Sequence, residues 1–321
     1  MKAAIRRQYC QPSELKVEET PEPIPKKGQI LVRVRTTTVN RTDCANLNAK
    51  PFIMRFFIGL IRPKLVIPGT DFAGEVVSLG EGAQRFQVGD RVFGFLDGGL
   101  SSQAELMSIA ESLPIAKMSP GMSFEDAAAS IEGAHYAINM LNKTSIKKED
   151  AVLINGSTGA IGSALLQIVK SYGCKVTAVC NTKNIERIKS LGADKIFDYQ
   201  TEDFTRDDEQ YDFVFDAVGK SSFGKCKNIL KKGGVYISSE LGPGLENLYL
   251  PLLTKFFASK KVVFPVPLDV PKSIEIVKGL YEAKKYVPVI DRTYPLDEAS
   301  DAYCYAASGE KTGNIVLVMT E

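Results

Sequence analysis

The first third of the chain combines short apolar runs with turn-forming residues, a pattern typical of β-structure. Residues 30–35 alternate apolar and charged side chains, as a strand with one solvated face does. Residues 72–79 and 90–95 predict two further strands, and the segment 80–82 (Gly-Glu-Gly) supplies a turn between them. Up to about residue 122 the pattern therefore predicts a small β-barrel-like domain.

From about Ser123 the pattern changes to helices that alternate with apolar, β-branched strands. Residues 151–155 predict a buried strand, and the helix expected over 160–172 is followed by Gly173, which suits a C-terminal cap. A second helix is predicted over residues 185–191, and further strands over residues 175–180, 195–197, 211–215, 235–238 and 262–264. This order predicts an α/β domain with a doubly wound parallel sheet, the architecture of a dinucleotide-binding fold.

The end of the chain returns to few and short elements. After Pro265 the pattern predicts one helix near residues 273–284 and a closing strand over 314–319. These pieces are too few for a third domain, so we expect them to complete the first one. The predicted division is residues 1–122 and 266–321 for a substrate domain, and 123–265 for the nucleotide-binding domain.

Composition and charge narrow the classes of protein. Apolar residues make up 44% and charged residues 24% of the chain, as in ordinary globular proteins, and the net charge of +2 gives no reason to expect a nucleic-acid partner. The six cysteines form no C-x-x-C pair, which favours a reducing compartment. Charged residues come early in the N-terminal segment, which argues against a secretory signal. We therefore predict a cytoplasmic protein.

The most apolar stretch covers residues 52–61 and includes Arg55. It is well short of the roughly 20 residues that a membrane-spanning helix needs. The favoured interpretation is a helix packed on its own domain. A lid over a substrate cleft and a membrane contact are the alternatives, in that order, and no membrane partner is predicted.

A glycine-rich turn joins the first strand of the predicted α/β domain to its helix. Gly156, Gly159 and Gly162 permit, respectively, a tight turn, close approach of backbone to a pyrophosphate, and close packing of helix on strand. The alternative is a simple strand-to-helix connection in a flavodoxin-like or unrelated protein, for which three glycines in seven residues exceed the need. The predicted cofactor-binding turn consists of Gly156, Ser157, Thr158, Gly159, Ala160, Ile161 and Gly162.

The segment after the second strand of this domain bears on the choice of dinucleotide. NAD-binding domains place an acid about 20 residues beyond the glycine turn, where it binds the ribose 2′-hydroxyl. This chain has Asn181, Thr182 and Lys183 there, which offer two hydrogen-bond donors and a positive charge to a 2′-phosphate. The sequence therefore predicts NADPH as the cofactor, although Lys183 can also be an ordinary solvated lysine.

With these residues in view, the chain resembles the zinc-independent, quinone-oxidoreductase-like branch of the medium-chain dehydrogenase/reductase superfamily. The resemblance covers nearly the whole chain. It implies a GroES-like substrate domain, a Rossmann domain and a homodimer. Beside the glycine turn, the segments that carry it are residues 39–43 (VNRTD), 68–76 (PGTDFAGEV), 88–94 (VGDRVFG), 191–194 (LGAD) and 215–219 (FDAVG).

The resemblance also implies that no zinc is bound. Zinc-dependent members carry a Gly-His-Glu, where this chain has Gly69, Thr70 and Asp71, and a lobe of four cysteines that is missing here. Cys44 lies near the place of a ligand cysteine but lacks the histidine partner. Catalytic zinc needs three protein ligands, so no metal site is predicted and Cys44 is interpreted as a bystander thiol.

Three residues are candidates for catalysis. Asn40 resembles the active-site asparagine of the family, whose amide can donate to a substrate carbonyl, and Asp43 can orient it. A loop capped by these two side chains is the alternative. His135 stands where relatives have threonine beside the nicotinamide, so it can donate a proton. A structural histidine is the favoured interpretation of His135.

Further cofactor contacts come from the resemblance and from the predicted sheet. Tyr199 matches a tyrosine that flanks the ribose phosphate in similar enzymes. Val218 and Gly219 follow the fourth predicted strand, at the sheet edge where ligands of such folds bind. Lys311 matches a basic residue that contacts the phosphate, but a solvated surface lysine is the favoured interpretation.

These observations predict NADPH-dependent hydride transfer to a quinone, an enone or an α,β-unsaturated aldehyde. Hydride transfer without zinc needs placement of the acceptor and hydrogen bonds where negative charge develops. The alternatives are an NAD(P)-dependent alcohol dehydrogenase, which the missing zinc ligands disfavour, and an NADPH-binding sensor or structural protein, which the same turn would equally serve.

Overall fold

The computed structural model describes residues 1–257 and 259–319, and the chain divides into two compact units. Unit 1 comprises residues Met1–Glu132, Val270–Lys278 and the chain from Pro288 onward, and unit 2 comprises Gly133–Asp269 and Gly279–Val287. The predicted division placed the boundaries at residues 122 and 265. It also assigned residues 279–287 to the substrate domain, whereas they group with unit 2 by contact.

Strands and helices follow one another along both units. The strands are β1 (Lys2–Ile5), β2 (Lys16–Glu19), β3 (Gln29–Val39), β4 (Asp71–Leu79), β5 (Arg91–Phe95), β6 (Leu106–Ala110), β7 (Ile115–Lys117), β8 (Ala151–Asn155), β9 (Lys175–Cys180), β10 (Lys195–Asp198), β11 (Tyr211–Asp216), β12 (Leu230–Ser238), β13 (Lys261–Val263), β14 (Ile290–Pro295) and β15 (Asn314–Val318). The helices are α1 (Arg41–Asn48), α2 (Arg55–Ile58), α3 (Phe124–Leu141), α4 (Ala160–Ser171), α5 (Ile185–Ser190), α6 (Phe223–Cys226), α7 (Glu246–Phe257), α8 (Val270–Glu282) and α9 (Ala299–Ser308).

Unit 1 is built around one large, mostly antiparallel sheet. Its strands run in the order β14-β15-β3-β4-β5-β7, and β6 also pairs with β3. Along β3, Ile30, Val32 and Val34 are at most 1% exposed while Arg33 between them is exposed, so the predicted alternation is confirmed. The closing strand β15 pairs with β3, which places the C-terminal segment in this unit.

Unit 2 is a parallel sheet with strands in the order β10-β9-β8-β11-β12-β13. Counted along the chain this is the order 3-2-1-4-5-6, so the predicted doubly wound fold is confirmed. Val152, Leu153 and Ile154 are fully buried in β8, as expected of a central strand covered on both faces. The order reverses between β8 and β11, which marks the crevice at their carboxyl ends as the place for a ligand.

The apolar stretch 52–61 is not a helix packed on its domain, so the favoured prediction for it is wrong. It forms a 3-10 turn over Phe52–Met54 and the single turn of α2. Gly59, with a φ of 129°, ends the turn, and Pro63 follows. Ile58 is buried, but six of the ten side chains are more than half exposed. Among the described residues no helix is long and apolar enough to cross a membrane.

Candidate functional site

The glycine turn of unit 2 connects β8 to α4 with almost no spare space. Gly156 has a φ of 80°, and a Cβ there would lie 2.6 Å from the Cβ of Val218. A Cβ on Gly162 would lie 2.1 Å from the carbonyl oxygen of Gly156. Both positions therefore admit only glycine, for conformation and for helix packing respectively, as the spacing predicts.

Gly159 differs from the other two because the space beside it is open. A Cβ there would meet nothing closer than the Gly156 carbonyl oxygen at 3.8 Å, and its φ of −72° suits any residue. The backbone N–H groups at the start of α4 have no partners within the helix, so Ala160 and Ile161 can offer theirs to an anion. The fold would tolerate a side chain at position 159, yet the residue is glycine. The open space beside Gly159 is therefore the cradle that a pyrophosphate would fill.

Ser157 and Thr158 complete the turn, and Ser157 has a structural task. Its side chain is fully buried, and its hydroxyl donates to the carbonyl oxygen of Val179 in β9 at 2.9 Å. Its backbone N–H donates to the same oxygen at 3.2 Å. Ser157 thus ties the turn to the neighbouring strand, and Thr158 lies between it and Gly159.

The loop that carries Val218 and Gly219 is fixed by Asp216, at the end of β11. The fully buried carboxylate of Asp216 accepts hydrogen bonds from the backbone N–H groups of Gly219 and Ser221, both at 3.0 Å. Further donors to it are Val218 N at 3.4 Å, Asn155 Nδ2 at 3.0 Å and the Tyr236 hydroxyl at 3.1 Å. Sequence reasoning quoted Asp216 only as part of a motif; its role as the anchor of this loop comes from the structure.

The segment after β9 keeps part of its predicted chemistry. Lys183 and Tyr199 are exposed at the carboxyl ends of β9 and β10, two neighbouring parallel strands. The hydroxyl of Thr182, however, donates to the carboxylate of Asp198, and Gln200 Oε1 lies 2.9 Å from it. Its single hydrogen is therefore committed in this structure, and a hydrogen bond from Thr182 to a 2′-phosphate stays a prediction.

Asn181 belongs to the same segment and begins its short 3-10 turn. Its side-chain oxygen accepts a hydrogen bond from Asn184 Nδ2 at 2.6 Å, so Asn181 Nδ2 points its donors elsewhere. The buried Asp198 was not predicted as part of this site, because the acid of NAD-binding domains is expected directly after β9, whereas Asp198 ends the next strand, β10.

His135 lies in unit 2, on α3, and is completely buried. Asn139 Nδ2 lies 3.3 Å from His135 Nδ1 and also donates to the carbonyl oxygen of His135 at 2.9 Å. The ring of Tyr136 packs edge-on at 5.7 Å between centroids. This packing supports the structural interpretation of His135; proton donation by it stays a prediction.

In unit 1, Asn40 and Asp43 come together at the start of α1. Asn40 is the N-cap residue, and its backbone N–H donates to Asp43 Oδ2 at 2.9 Å. The side-chain amide of Asn40 donates to Thr38 Oγ1 at 2.8 Å and to Asn314 Oδ1 at 3.1 Å. Asn40 is 3% exposed, so its amide donors are already engaged inside the unit, as in the capped-loop alternative.

Lys311 is not a solvated surface lysine, so that favoured interpretation is wrong. Its ammonium group donates to Asn40 Oδ1 at 2.8 Å and to the carbonyl oxygen of Gly313 at 2.7 Å. Burial lowers the pKa of this ammonium, whereas the nearby Glu132 carboxylate raises it. The lysine thus orients the Asn40 side chain from within the unit, a role that its position before the last strand did not reveal.

Two further carboxyl groups near Asn40 escaped sequence reasoning as site residues. Glu132 is 5% exposed, and within the described chain its Oε2 atom has no hydrogen-bond partner. Asp71 is fully buried and accepts from the backbone N–H of Thr38 at 2.7 Å. Burial raises the pKa of Glu132, and burial followed by the Glu132 charge raises the pKa of Asp43. Glu132 and Asp71 both occur within largely apolar stretches of sequence, and an acid in such a stretch indicates a buried carboxyl group.

The pKa of Asp71 makes a testable prediction about stability. Burial, with a contribution from Glu132, raises this pKa from 3.8 to about 7. The folded state therefore binds this proton more tightly than the unfolded state, and the resulting stabilisation is lost as the pH rises from about 4 to 7. Asp71→Asn mimics the protonated acid and does not lose this stabilisation. Between about pH 4 and pH 7 its free energy of unfolding, relative to that of the wild type, should therefore rise by on the order of 2–4 kcal/mol.

Urea denaturation at a series of pH values measures this difference. Asp208→Asn, at an exposed position, is the control and should follow the wild-type curve at every pH. Parallel curves for wild type and Asp71→Asn would show that Asp71 is ionised throughout.

The residues near the family's zinc position are engaged with each other. The Thr70 hydroxyl donates to Asp43 Oδ1 at 3.2 Å. Burial raises the pKa of the Cys44 thiol to about 12. In the part of the chain that the structure describes, no group of three or more His, Cys, Asp or Glu side chains is arranged to hold a metal ion.

Together, the strand order of unit 2 and its glycine turn define a dinucleotide-binding domain, and comparisons with known proteins specify its class. The family model described as alcohol dehydrogenase GroES-like domain matches residues 26–113, and the model described as zinc-binding dehydrogenase matches residues 191–317. The GroES-like domain predicted for the N-terminal part is thereby confirmed.

Individual relatives agree along nearly the whole chain. The chloroplast envelope quinone oxidoreductase homolog of Arabidopsis thaliana is 30% identical, over 93% of this chain and 92% of that protein. The NADPH-dependent alkenal/one oxidoreductase, chloroplastic, of the same plant is 28% identical, over 99% of this chain and 79% of that protein. The solved quinone oxidoreductase of Coxiella burnetii superposes with a TM-score of 0.87 at 26% identity, covering 100% of this chain and 99% of that one.

The chain therefore belongs to the medium-chain dehydrogenase/reductase superfamily, in its zinc-independent, quinone-oxidoreductase-like branch, and it is an oxidoreductase that uses a nicotinamide cofactor. The resemblance stated from the sequence motifs is confirmed.

Proposed function

We propose that the chain reduces a quinone, an enone or an α,β-unsaturated aldehyde with NADPH and without zinc. The observation that carries the proposal is the open cradle at Gly159, at the carboxyl edge of a sheet whose order reverses there. The names of the two Arabidopsis relatives, a quinone oxidoreductase homolog and an NADPH-dependent alkenal/one oxidoreductase, supply the substrate classes.

The roles of the chain's own residues follow from their positions. The glycine turn and the start of α4 would bind the pyrophosphate, and the loop of Val218 and Gly219 would border it. Bound NADPH supplies the hydride. A proton from solvent or from His135 would complete the reduction of a conjugated carbonyl. Lys311 keeps Asn40 oriented, so both act as positioning residues in this proposal.

NADPH rather than NADH is supported by Lys183 and Tyr199. Both are exposed at the carboxyl ends of adjacent strands, and no acid follows β9 directly. Asp198, the acid nearest this edge, is 7% exposed and already accepts hydrogen bonds from Thr182 and from Gln200 N at 3.0 Å. Its charge is thus partly compensated inside the unit. A 2′-phosphate beside Lys183 would gain an ion pair that NADH cannot form.

Lys183→Ala tests this preference. We expect it to weaken NADPH binding roughly tenfold, since one charge-assisted hydrogen bond contributes about 1.5–3 kcal/mol, and to leave NADH binding unchanged. Quenching of the nicotinamide fluorescence on titration measures both affinities. Lys189→Ala, which removes an exposed lysine from α5, is the matched control. Equal loss for NADPH and NADH would show that Lys183 does not discriminate between them.

The proposed activity is tested by following NADPH oxidation against a panel of quinones, enones, enals and simple aldehydes. Turnover of a quinone or a conjugated carbonyl that survives a metal chelator supports the proposal. Stoichiometric zinc together with ethanol oxidation would establish an alcohol dehydrogenase instead. Tight NADPH binding without turnover of any acceptor would favour a sensor or structural protein.

A homodimer and a cytoplasmic location are parts of the same proposal. Strand β13 forms an edge of the unit 2 sheet, and an edge strand can pair with a second copy. The six cysteines are all free thiols, which supports a reducing compartment. The names of both Arabidopsis relatives place those proteins in chloroplasts, which is the alternative location to test. Light scattering and fractionation of cells measure the two properties.

A further inference from the structure

Unit 1 carries an exposed apolar surface, here called the apolar loop and defined as residues 52–61. The exposed fractions of its side chains are 64% for Phe52, 58% for Ile53, 65% for Phe56, 71% for Phe57, 56% for Leu60 and 81% for Ile61. Single exposed apolar residues are normal on protein surfaces, but six within ten residues are a local concentration of the kind that marks an interaction site.

The apolar loop is held in this conformation by its own polar contacts. The Tyr9 hydroxyl donates to the Gly59 carbonyl oxygen, and Lys64 Nζ donates to the Phe57 carbonyl oxygen at 2.8 Å. The guanidinium of Arg55 lies 4.7 Å from the ring centroid of Tyr9. Backbone N–H groups are paired as well, as in Gly59 N to Arg55 O at 3.0 Å. Several backbone groups of the loop are therefore already paired, which lowers the cost of placing the loop in an apolar medium.

The charged residues that flank the apolar loop in the sequence all have one sign. Between Asp43 and Asp71 the sequence contains no acidic residue, although the chain as a whole has nearly equal numbers of both signs. Lys50, Arg62 and Lys64 are exposed on either side of the loop. Aromatic and aliphatic side chains flanked by exposed basic residues are the composition of segments that lie in the interface of an anionic membrane.

We infer that the apolar loop docks unit 1 on the surface of an anionic lipid bilayer. Phe56, Phe57 and Ile61 enter the boundary between headgroups and acyl chains, and the basic residues contact lipid phosphates. Ten residues are too few to span a bilayer, so the contact is peripheral and reversible. This inference departs from the sequence-based expectation that no membrane takes part. This inference does not depend on the substrate or the cofactor.

Sedimentation with vesicles tests the inference on the full-length chain. Vesicles of phosphatidylcholine with phosphatidylglycerol should bind the wild type at least tenfold more tightly than vesicles of phosphatidylcholine alone, and added salt should reduce the difference. The double variant Phe56→Ser/Phe57→Ser should lower the partition coefficient on anionic vesicles by at least roughly tenfold, because each buried phenylalanine contributes more than a factor of ten.

The control variant is Ile24→Ser/Val88→Ser, which removes two exposed apolar side chains of the same unit outside the loop. It should bind anionic vesicles as the wild type does, and unchanged circular dichroism and Tm verify that both variants are folded. Undiminished vesicle binding by Phe56→Ser/Phe57→Ser would overturn the inference. Equal binding to neutral and anionic vesicles would also overturn the inference. So would the finding that the protein binds no vesicles but forms a dimer through the apolar loop.

Discussion

Gly159→Ala is expected to weaken NADPH binding at least tenfold. The free energy of unfolding of this variant should equal that of the wild type or exceed it by up to about 1 kcal/mol. The added Cβ meets no protein atom within 3.4 Å, and the backbone conformation suits alanine. Only a ligand in the cradle would collide with it. Fluorescence titration with NADPH, paired with urea denaturation, measures both quantities.

Two other glycines give this experiment its controls. Gly279→Ala also places a methyl group in open space, on α8 and away from the turn, and should leave NADPH affinity unchanged. Gly162→Ala forces its Cβ against the backbone of Gly156, so it should lose stability as well as affinity. If Gly159→Ala binds NADPH as tightly as the wild type does, the turn is not where the pyrophosphate binds.

The second large effect is expected at Lys311. Lys311→Met removes both hydrogen bonds of the ammonium group, leaving Asn40 Oδ1 and the Gly313 carbonyl oxygen without that donor. It also removes the positive charge that faces Glu132. Breaking a fully buried charged network by removing one member costs about 3–5 kcal/mol; because Lys311 is only partly buried, we expect a loss of about 2–3 kcal/mol in the free energy of unfolding.

A double-mutant cycle identifies the source of this loss. Glu132→Gln in the Lys311→Met background should recover part of the stability, because it removes the carboxyl group that the lysine faces. Lys26→Met, at an exposed position of the same unit, should change stability by less than about 0.5 kcal/mol. Strict additivity of the two substitutions would mean that Lys311 acts through Asn40 alone.

The sheet of unit 2 could be predicted from the sequence because its strands have a simple environment. A strand buried on both faces, such as β8, is almost continuously apolar, and the spacing of the glycines that follow it shows their structural cause. The predicted turn from Gly156 to Gly162 lies where expected for the same reason. In unit 2 the hydrophobic pattern and the glycine spacing therefore predict the individual elements and their order along the chain.

Contacts between distant segments are what the sequence could not supply. Lys311 meets Asn40 across 271 positions, and Thr182 meets Asp198 across 16, so neither partner is visible in the neighbourhood of the other. The apolar loop failed for a different reason. Its composition suits burial, but Gly59 and Pro63 make it too short to form a helix that could bury it.

The Asp216 carboxylate accepts hydrogen bonds from three backbone N–H groups of the loop after β11, and this has a consequence for the rate of cofactor capture. A loop that has already lost its conformational freedom during folding does not lose it again on binding. The entropic cost of ordering the loop is therefore part of the free energy of folding and does not recur in each catalytic cycle. Unit 2 should therefore accept its dinucleotide by fast, nearly rigid association at this edge. Slow conformational adjustment, if stopped-flow fluorescence finds any, should arise elsewhere in the chain.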